Sequence, residues 1–195
     1  MRAEPGQQVQ ECIEQEGPVG DRSGLSRPVP RCSPPVSGDA EGDITVVEFF
    51  DYQCGYCKLA LKTMEDLLET DANVRVVWKE FPILGPVSRV AAQAAMAADR
   101  QGLYLPFHLA LMREAELTEE KIFELAGKTG LDVERLQRDM GHPEMGNYLD
   151  ETRAPAQELG IGGTPAFVVG GRLVPGAVDS AGMKDLVARA RAAKG

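Results

Sequence analysis

No stretch of this sequence sustains the roughly 20 apolar residues in a row that a membrane-spanning helix needs, and no shorter apolar core of a secretory leader follows Met1. The chain therefore reads as one that is not membrane-embedded. If it works in an extracytoplasmic compartment such as the periplasm, its leader is missing from the sequence as given. Positive charge is also in the minority: 21 Lys and Arg against 30 Asp and Glu give a formal charge of -9. Nucleic acid and anionic membrane surfaces would repel such a surface, which argues against both as main partners. The usual ligands of structural zinc are scarce, with four cysteines and two histidines. Structural zinc takes four ligands. Beyond Cys54 and Cys57 the chain offers Cys12, Cys32, His108 and His142, at no recognisable ligand spacing, so neither a metal nor another cofactor is expected.

What the chain does have is length and apolar content. At 195 residues and 43% hydrophobic it can bury a real core, and its length favours one domain with an insertion. Residues 1–43 stand apart: Pro, Gly and charge dominate, apolar residues are isolated, and no period is sustained, which predicts a flexible or loosely folded extension. That segment carries Cys12 and Cys32. In an oxidising compartment they could close a loop worth about 3 kcal/mol. Two unpaired thiols are the alternative, since spacing alone does not fix connectivity.

From Ile44 the pattern changes. ITVVEFF is apolar on both faces, as a central strand covered by helices on each side would be. KLALKTMEDLLET then sets Leu61, Met64, Leu67 and Leu68 on one helical stripe, and VRVVWKEF returns to strand, completing a βαβ unit. A helical block spans about residues 86–159. It opens with the Ala-rich PVSRVAAQAAMAADRQG, contains a helix for which Thr118 is a plausible N-cap, and ends in a segment that Pro155 should kink or interrupt. PAFVVGGRLVPG reads as two short strands joined at Gly170 and Gly171, and AGMKDLVARARAA as a closing helix. The class is α/β.

The cysteine pair sits at the first strand-to-helix junction, in YQCGYCK (residues 52–58). Positions i and i+3 share a helix face, so the two sulfurs can meet at disulfide distance while Cys54 stays at the exposed tip. Free N–H groups and the partial positive charge of the helix N-terminus favour a thiolate there. In such motifs the first cysteine attacks a disulfide and the second, here Cys57, resolves the mixed disulfide. Half of a zinc site is the competing reading.

The motifs EFFDYQCGYCK, WKEFPILGP and GIGGTPAFVVGGRLVPGA, in this order around the helical block, resemble those of the bacterial DsbA-like thiol:disulfide oxidoreductases. The resemblance covers about residues 44–193 and implies a thioredoxin fold with an inserted helical subdomain, leaving the extension uncovered. It implies a cis peptide bond before Pro165, beside the cysteine pair, and backbone at Thr164 that pairs with a substrate chain, so that Gly55, Tyr56, Thr164 and Pro165 form the substrate-binding surface. Related enzymes also place a buried acid at the position of Glu48. Within its doubly covered strand that carboxyl should be desolvated, its pKa raised toward a value suited to exchanging protons with Cys57. Lys79 could pair with it or point to water.

Gly55 and Tyr56 depart from the Pro-His pair of the best-known oxidases. They supply no charge near the thiolate, so a less oxidising pair is expected. Gly-Tyr together with Thr before the proline is similar to the DsbC isomerases, whose N-terminal dimerisation domain the extension does not resemble. Dithiol oxidation is therefore placed ahead of isomerisation. The resemblance implies cysteine-containing substrate proteins and a membrane redox partner of the DsbB or DsbD kind. A peptide- or copper-binding chaperone-like module using the same cysteines as soft ligands is the alternative, although no Met-rich tract supports it. His108 reads as a packed histidine, His142 as a helix cap, and Trp78, Phe81 and Phe107 as core or packing within the insertion.

Overall fold

The computed structural model describes residues 34–195. Cys12 and Cys32 lie outside them. A five-stranded mixed sheet has the order β1-β3-β2-β4-β5. At its centre β2 (Ile44–Phe50) runs parallel to β3 (Val74–Glu80), with α1 (Gly55–Thr70) between them in sequence. β4 (Ala166–Val169) pairs antiparallel with β2, and β5 (Arg172–Pro175) with β4. This is the thioredoxin-like arrangement, with five further helices placed between β3 and β4: α2 (Pro86–Asp99), α3 (Tyr104–Arg113), α4 (Glu119–Thr129), α5 (Val133–Met140) and α6 (Pro143–Glu158). The chain closes on α7 (Ser180–Lys194).

The apolar stripe on α1 buries Leu61, Met64 and Leu67 as the spacing requires. Ala91, Ala92, Ala94, Ala95, Ala97 and Ala98 are all buried along α2. Their small side chains let α3, α5 and α6 approach it closely, and α2 becomes the axis of the insertion. Thr118 caps α4, its hydroxyl accepting from the Lys121 amide at 3.2 Å, and Gly130 ends that helix in the left-handed region at φ 89°. Two expectations are corrected. α6 runs on through Pro155, so the proline does not interrupt it. His142 occupies the N-cap position of α6, but its side chain makes no capping hydrogen bond; its Nδ1 lies 3.6 Å from the Glu144 carboxylate instead.

The sheet also begins earlier than the sequence indicates. Residues 36–38, grouped there with the extension, form β1 (Val36–Gly38), antiparallel to β3 at the sheet edge. Three residues carry too little pattern to read as a strand. What holds them is the partner: the Trp78 amide donates to the Pro35 carbonyl at 2.9 Å and the Trp78 indole to Ser37 Oγ at 2.9 Å.

Side chains alternate across a strand, and both central strands are covered on both sides. Ile44, Val46 and Phe50 join Val74, Val76 and Trp78 in the larger core, with residues of α1 to α7. Val47, Phe49 and Val77 pack on the other side against Ala156 of α6 and Ile161. Trp78, Phe81 and Phe107 are core residues, as expected. The same alternation sorts the charged residues: Glu48 stands opposite Trp78 and Lys79 opposite Phe49, so the two lie on different faces. Lys79 does not pair with Glu48 but sits 5.9 Å from the centre of the Tyr148 ring.

Candidate active site

β2 ends at Phe50, and the turn that follows is closed by the Cys54 amide donating to the Asp51 carbonyl at 3.0 Å. Cys54 is the N-cap of α1, with extended backbone and no side-chain capping bond, so its sulfur is free for other contacts. Both cysteines are free thiols. Cys54 is 7% exposed and Cys57 1%. The expected order of access holds, but Cys54 is no exposed tip: the segment before Pro165 folds over it, and its Sγ donates to the Thr164 carbonyl at 3.2 Å. The Thr164–Pro165 bond is cis, and the Pro165 carbonyl accepts from the Gly176 amide at 2.9 Å. Sequence positions 110 residues apart thus form one site.

The rim is open. Nothing stands within 4 Å of where a side chain would begin on Gly55, Gly162 or Gly163, and Tyr56 is 68% exposed. Beside the cis-proline turn, a hollow of about 210 Å³ is lined by the Gly160–Ala166 stretch together with Leu173, Pro175 and Gly176.

Beneath the thiols Glu48 is 2% exposed. Burial first, and a negative charge on Cys54 second, push its carboxyl up to about 8. Burial likewise pushes the Cys57 thiol up, and its hydrogen bonds to the Asp51 backbone and to Thr164 only partly oppose that. Both groups favour their protonated forms in this dry layer.

Three features escaped the sequence reading. Asp51, 1% exposed, accepts from the Gln53 amide at 2.8 Å and Ser88 Oγ at 2.7 Å through one oxygen, and from the Ile83 and Leu84 amides at 2.8 and 2.9 Å through the other. It fastens the cysteine turn to the loop between β3 and α2. Its contact with Gln53 is an Asx turn, a local signal that could have flagged it. Lys58, on the first turn of α1, donates to the Glu114 and Ala115 carbonyls at 2.5 and 3.0 Å. Deeper in, the Tyr52 and Tyr104 hydroxyls both donate to Oε1 of Glu80 at 2.9 Å, and Tyr52 also contacts His108 Nδ1 at 3.1 Å. His108 is a packed histidine, stacked on Tyr104 with its pKa lowered to about 3 by burial.

The pattern of a DSBA-like thioredoxin domain matches residues 45–188. The chain is 49% identical to a thioredoxin-like oxidoreductase from Silicibacter pomeroyi DSS-3, whose crystal structure superposes with a TM-score of 0.79 over 82% of this chain and 92% of that one. It is 30% identical over 146 residues to the thiol:disulfide interchange protein DsbA of Bordetella pertussis, covering 72% of this chain and 69% of that protein. It is also 34% identical over 140 residues, 70% of the chain, to the Na(+)/H(+) antiporter NhaA 1 of Salinispora arenicola, of which it spans 22%. With the helical insertion and the site geometry, these similarities lead to one conclusion: the chain belongs to the DsbA-like thioredoxin domain family.

Proposed function

We propose that this protein is a thiol:disulfide oxidoreductase that oxidises dithiols in cysteine-containing substrate proteins. The single observation that carries the reading is the 3.2 Å contact between Cys54 Sγ and the Thr164 carbonyl beside the cis Pro165, because it brings the outer sulfur to backbone that can add a peptide strand. In the oxidised enzyme a substrate thiolate attacks Cys54 Sγ, the Cys54–Cys57 bond breaks, and Cys57 leaves as a thiolate. Glu48, protonated near neutrality, gives that thiolate its proton. A second substrate thiolate then attacks the substrate sulfur of the mixed disulfide and releases Cys54. Two electrons have passed to the enzyme and the substrate holds a new disulfide. Ready protonation of Cys57 favours the reduced enzyme, which supports oxidation over isomerisation. Disulfide formation of this kind belongs to an oxidising, extracytoplasmic compartment, with re-oxidation by a membrane partner of the DsbB kind.

The test is recovery of activity by reduced, unfolded ribonuclease given stoichiometric oxidised protein, repeated with Cys54→Ser. Recovery that survives the substitution overturns the proposal. Equilibration with glutathione gives the direction: a potential close to about -270 mV, as in thioredoxin, marks a reductant, and one approaching about -120 mV marks an oxidant.

A further inference from the structure

Gly55 and Tyr56 bring no charge to the cysteine pair, yet the structure places a cation one turn along the same helix. The Lys58 amide donates to the Cys54 carbonyl at 3.1 Å, closing the first turn of α1. Residues at i and i+4 share a helix face, and side chains on a helix lean back toward its N-terminus, so Lys58 covers the turn that carries Cys54. Its ammonium is not left to wander: the Glu114 and Ala115 carbonyls hold it at 2.5 and 3.0 Å. Those carbonyls belong to the C-cap residue of α3 and the residue after it, beside the helix end where backbone partial charge is negative. Two helix ends of opposite sign approach each other here, and the lysine stands between them.

We infer that Lys58 is an electrostatic positioning residue for the reaction. Clamped by the two carbonyls that follow α3, it supplies the positive charge that the Gly55–Tyr56 pair lacks, stabilises the Cys54 thiolate and thereby makes the disulfide a stronger oxidant. This rests on the exchange chemistry proposed above. Glu48 from β2 and Lys58 interact electrostatically with Cys54, while Asp51 from the preceding turn and Glu114 after α3 act on Lys58. Burial lowers the Lys58 ammonium from the ordinary lysine range, and the charges of Glu114, Asp51 and Cys54 oppose that lowering, as expected for a cation lying among them. Glu114 and Asp51 share the lysine's field with Cys54, which keeps the effect moderate. Removing the cation also bares two carbonyls beside the negative end of α3.

The equilibrium to measure is protein disulfide plus two glutathione thiols giving protein dithiol plus glutathione disulfide, read by alkylation and mass. The two glutathiones supply both electrons and both protons, and Cys54 releases its own proton to solvent on ionising. For Lys58→Met the equilibrium constant should fall at least threefold, about 14 mV toward a more reducing pair, and the difference should shrink in 1 M salt, where the screening length is about 3 Å. Glu114→Gln, which keeps the carbonyl clamp but removes the competing carboxylate, should move the constant the other way by about 1.5-fold. A purely structural staple would shift thermal stability and leave these constants alone. Constants unchanged in both variants, or shifted in the same direction, overturn the inference while the proposed function stands. A chain whose Cys54 and Cys57 never bridge under oxidised glutathione overturns both.

Discussion

The Tyr52 hydroxyl donates to Oε1 of Glu80 at 2.9 Å in the interior beneath the cysteine turn, although the two residues stand 28 positions apart. Tyr104 donates to the same oxygen at the same distance, and all three side chains are buried. Removing the acceptor leaves the buried Tyr104 hydroxyl without its partner and Tyr52 with His108 Nδ1 alone, and a buried unpaired hydroxyl costs about 1–3 kcal/mol. Glu80→Ala should therefore lower the unfolding free energy by roughly 2 kcal/mol by urea denaturation. A loss below about 1 kcal/mol would show that the cluster contributes no net stability.

Glu48 governs a pH dependence of stability whose sign follows from its environment. Its carboxyl is raised to about 8, against about 4.3 in an unfolded chain. Between those values the folded state keeps a proton that the unfolded state has lost, so stability falls as pH rises, at up to about 1.4 kcal/mol per pH unit. Glu80 is also pushed well up by burial and adds to the slope. Glu48→Gln should make the decline between pH 5 and pH 8 shallower without abolishing it. Urea midpoints measured across that range would show parallel lines for the variant and the natural chain if the idea is wrong.

The division of labour between the thiols predicts what accumulates when one is removed. With Cys57→Ser the mixed disulfide on Cys54 loses the neighbouring thiol that resolves it, so a covalent adduct with a reduced substrate protein should build up on non-reducing gels after mild oxidation. Cys54→Ser should give little adduct, because Cys57 is 1% exposed. Equal adduct in the two variants would reverse the assigned roles.

Asp51 offers a different kind of test. Asp51→Ala strips an acceptor from four donors at once and should cost roughly 2–4 kcal/mol. Asp51→Asn keeps one accepting oxygen and should cost less. Oxidative refolding rates should fall with stability in the same order, since the cysteine turn and the Ile83–Leu84 loop are fastened through this carboxylate. Refolding at the natural rate by Asp51→Ala would separate the staple from the chemistry.

The parts legible in the sequence are those written in local pattern. The βαβ unit, the stripe on α1, the Thr118 cap and the burial of Glu48 inside ITVVEFF all follow from spacing and neighbours within a few residues. Apart from the Asx turn at Asp51, the parts missed depend on contacts closed only by the fold. His108 reaches Tyr52 across 56 positions and Lys58 reaches Glu114 across another 56, and no periodicity announces either. β1 is too short to show a period. The possible Glu48–Lys79 pair could have been rejected once the strand register was known, since neighbouring residues on a strand face opposite ways.

That alternation has a consequence for how the chain tolerates change. With Asp51 pinned to the β3–α2 loop, one residue inserted within Glu48–Phe50 would rotate the carboxyl to the α6 side, where Val47 and Phe49 now pack. Two inserted residues would restore its side but displace it about 7 Å along the strand, out from under the sulfurs. The stretch from Glu48 to Cys54 therefore acts as a ruler with a fixed parity, and length polymorphism should be absent from it while the loops of the helical insertion are free to vary.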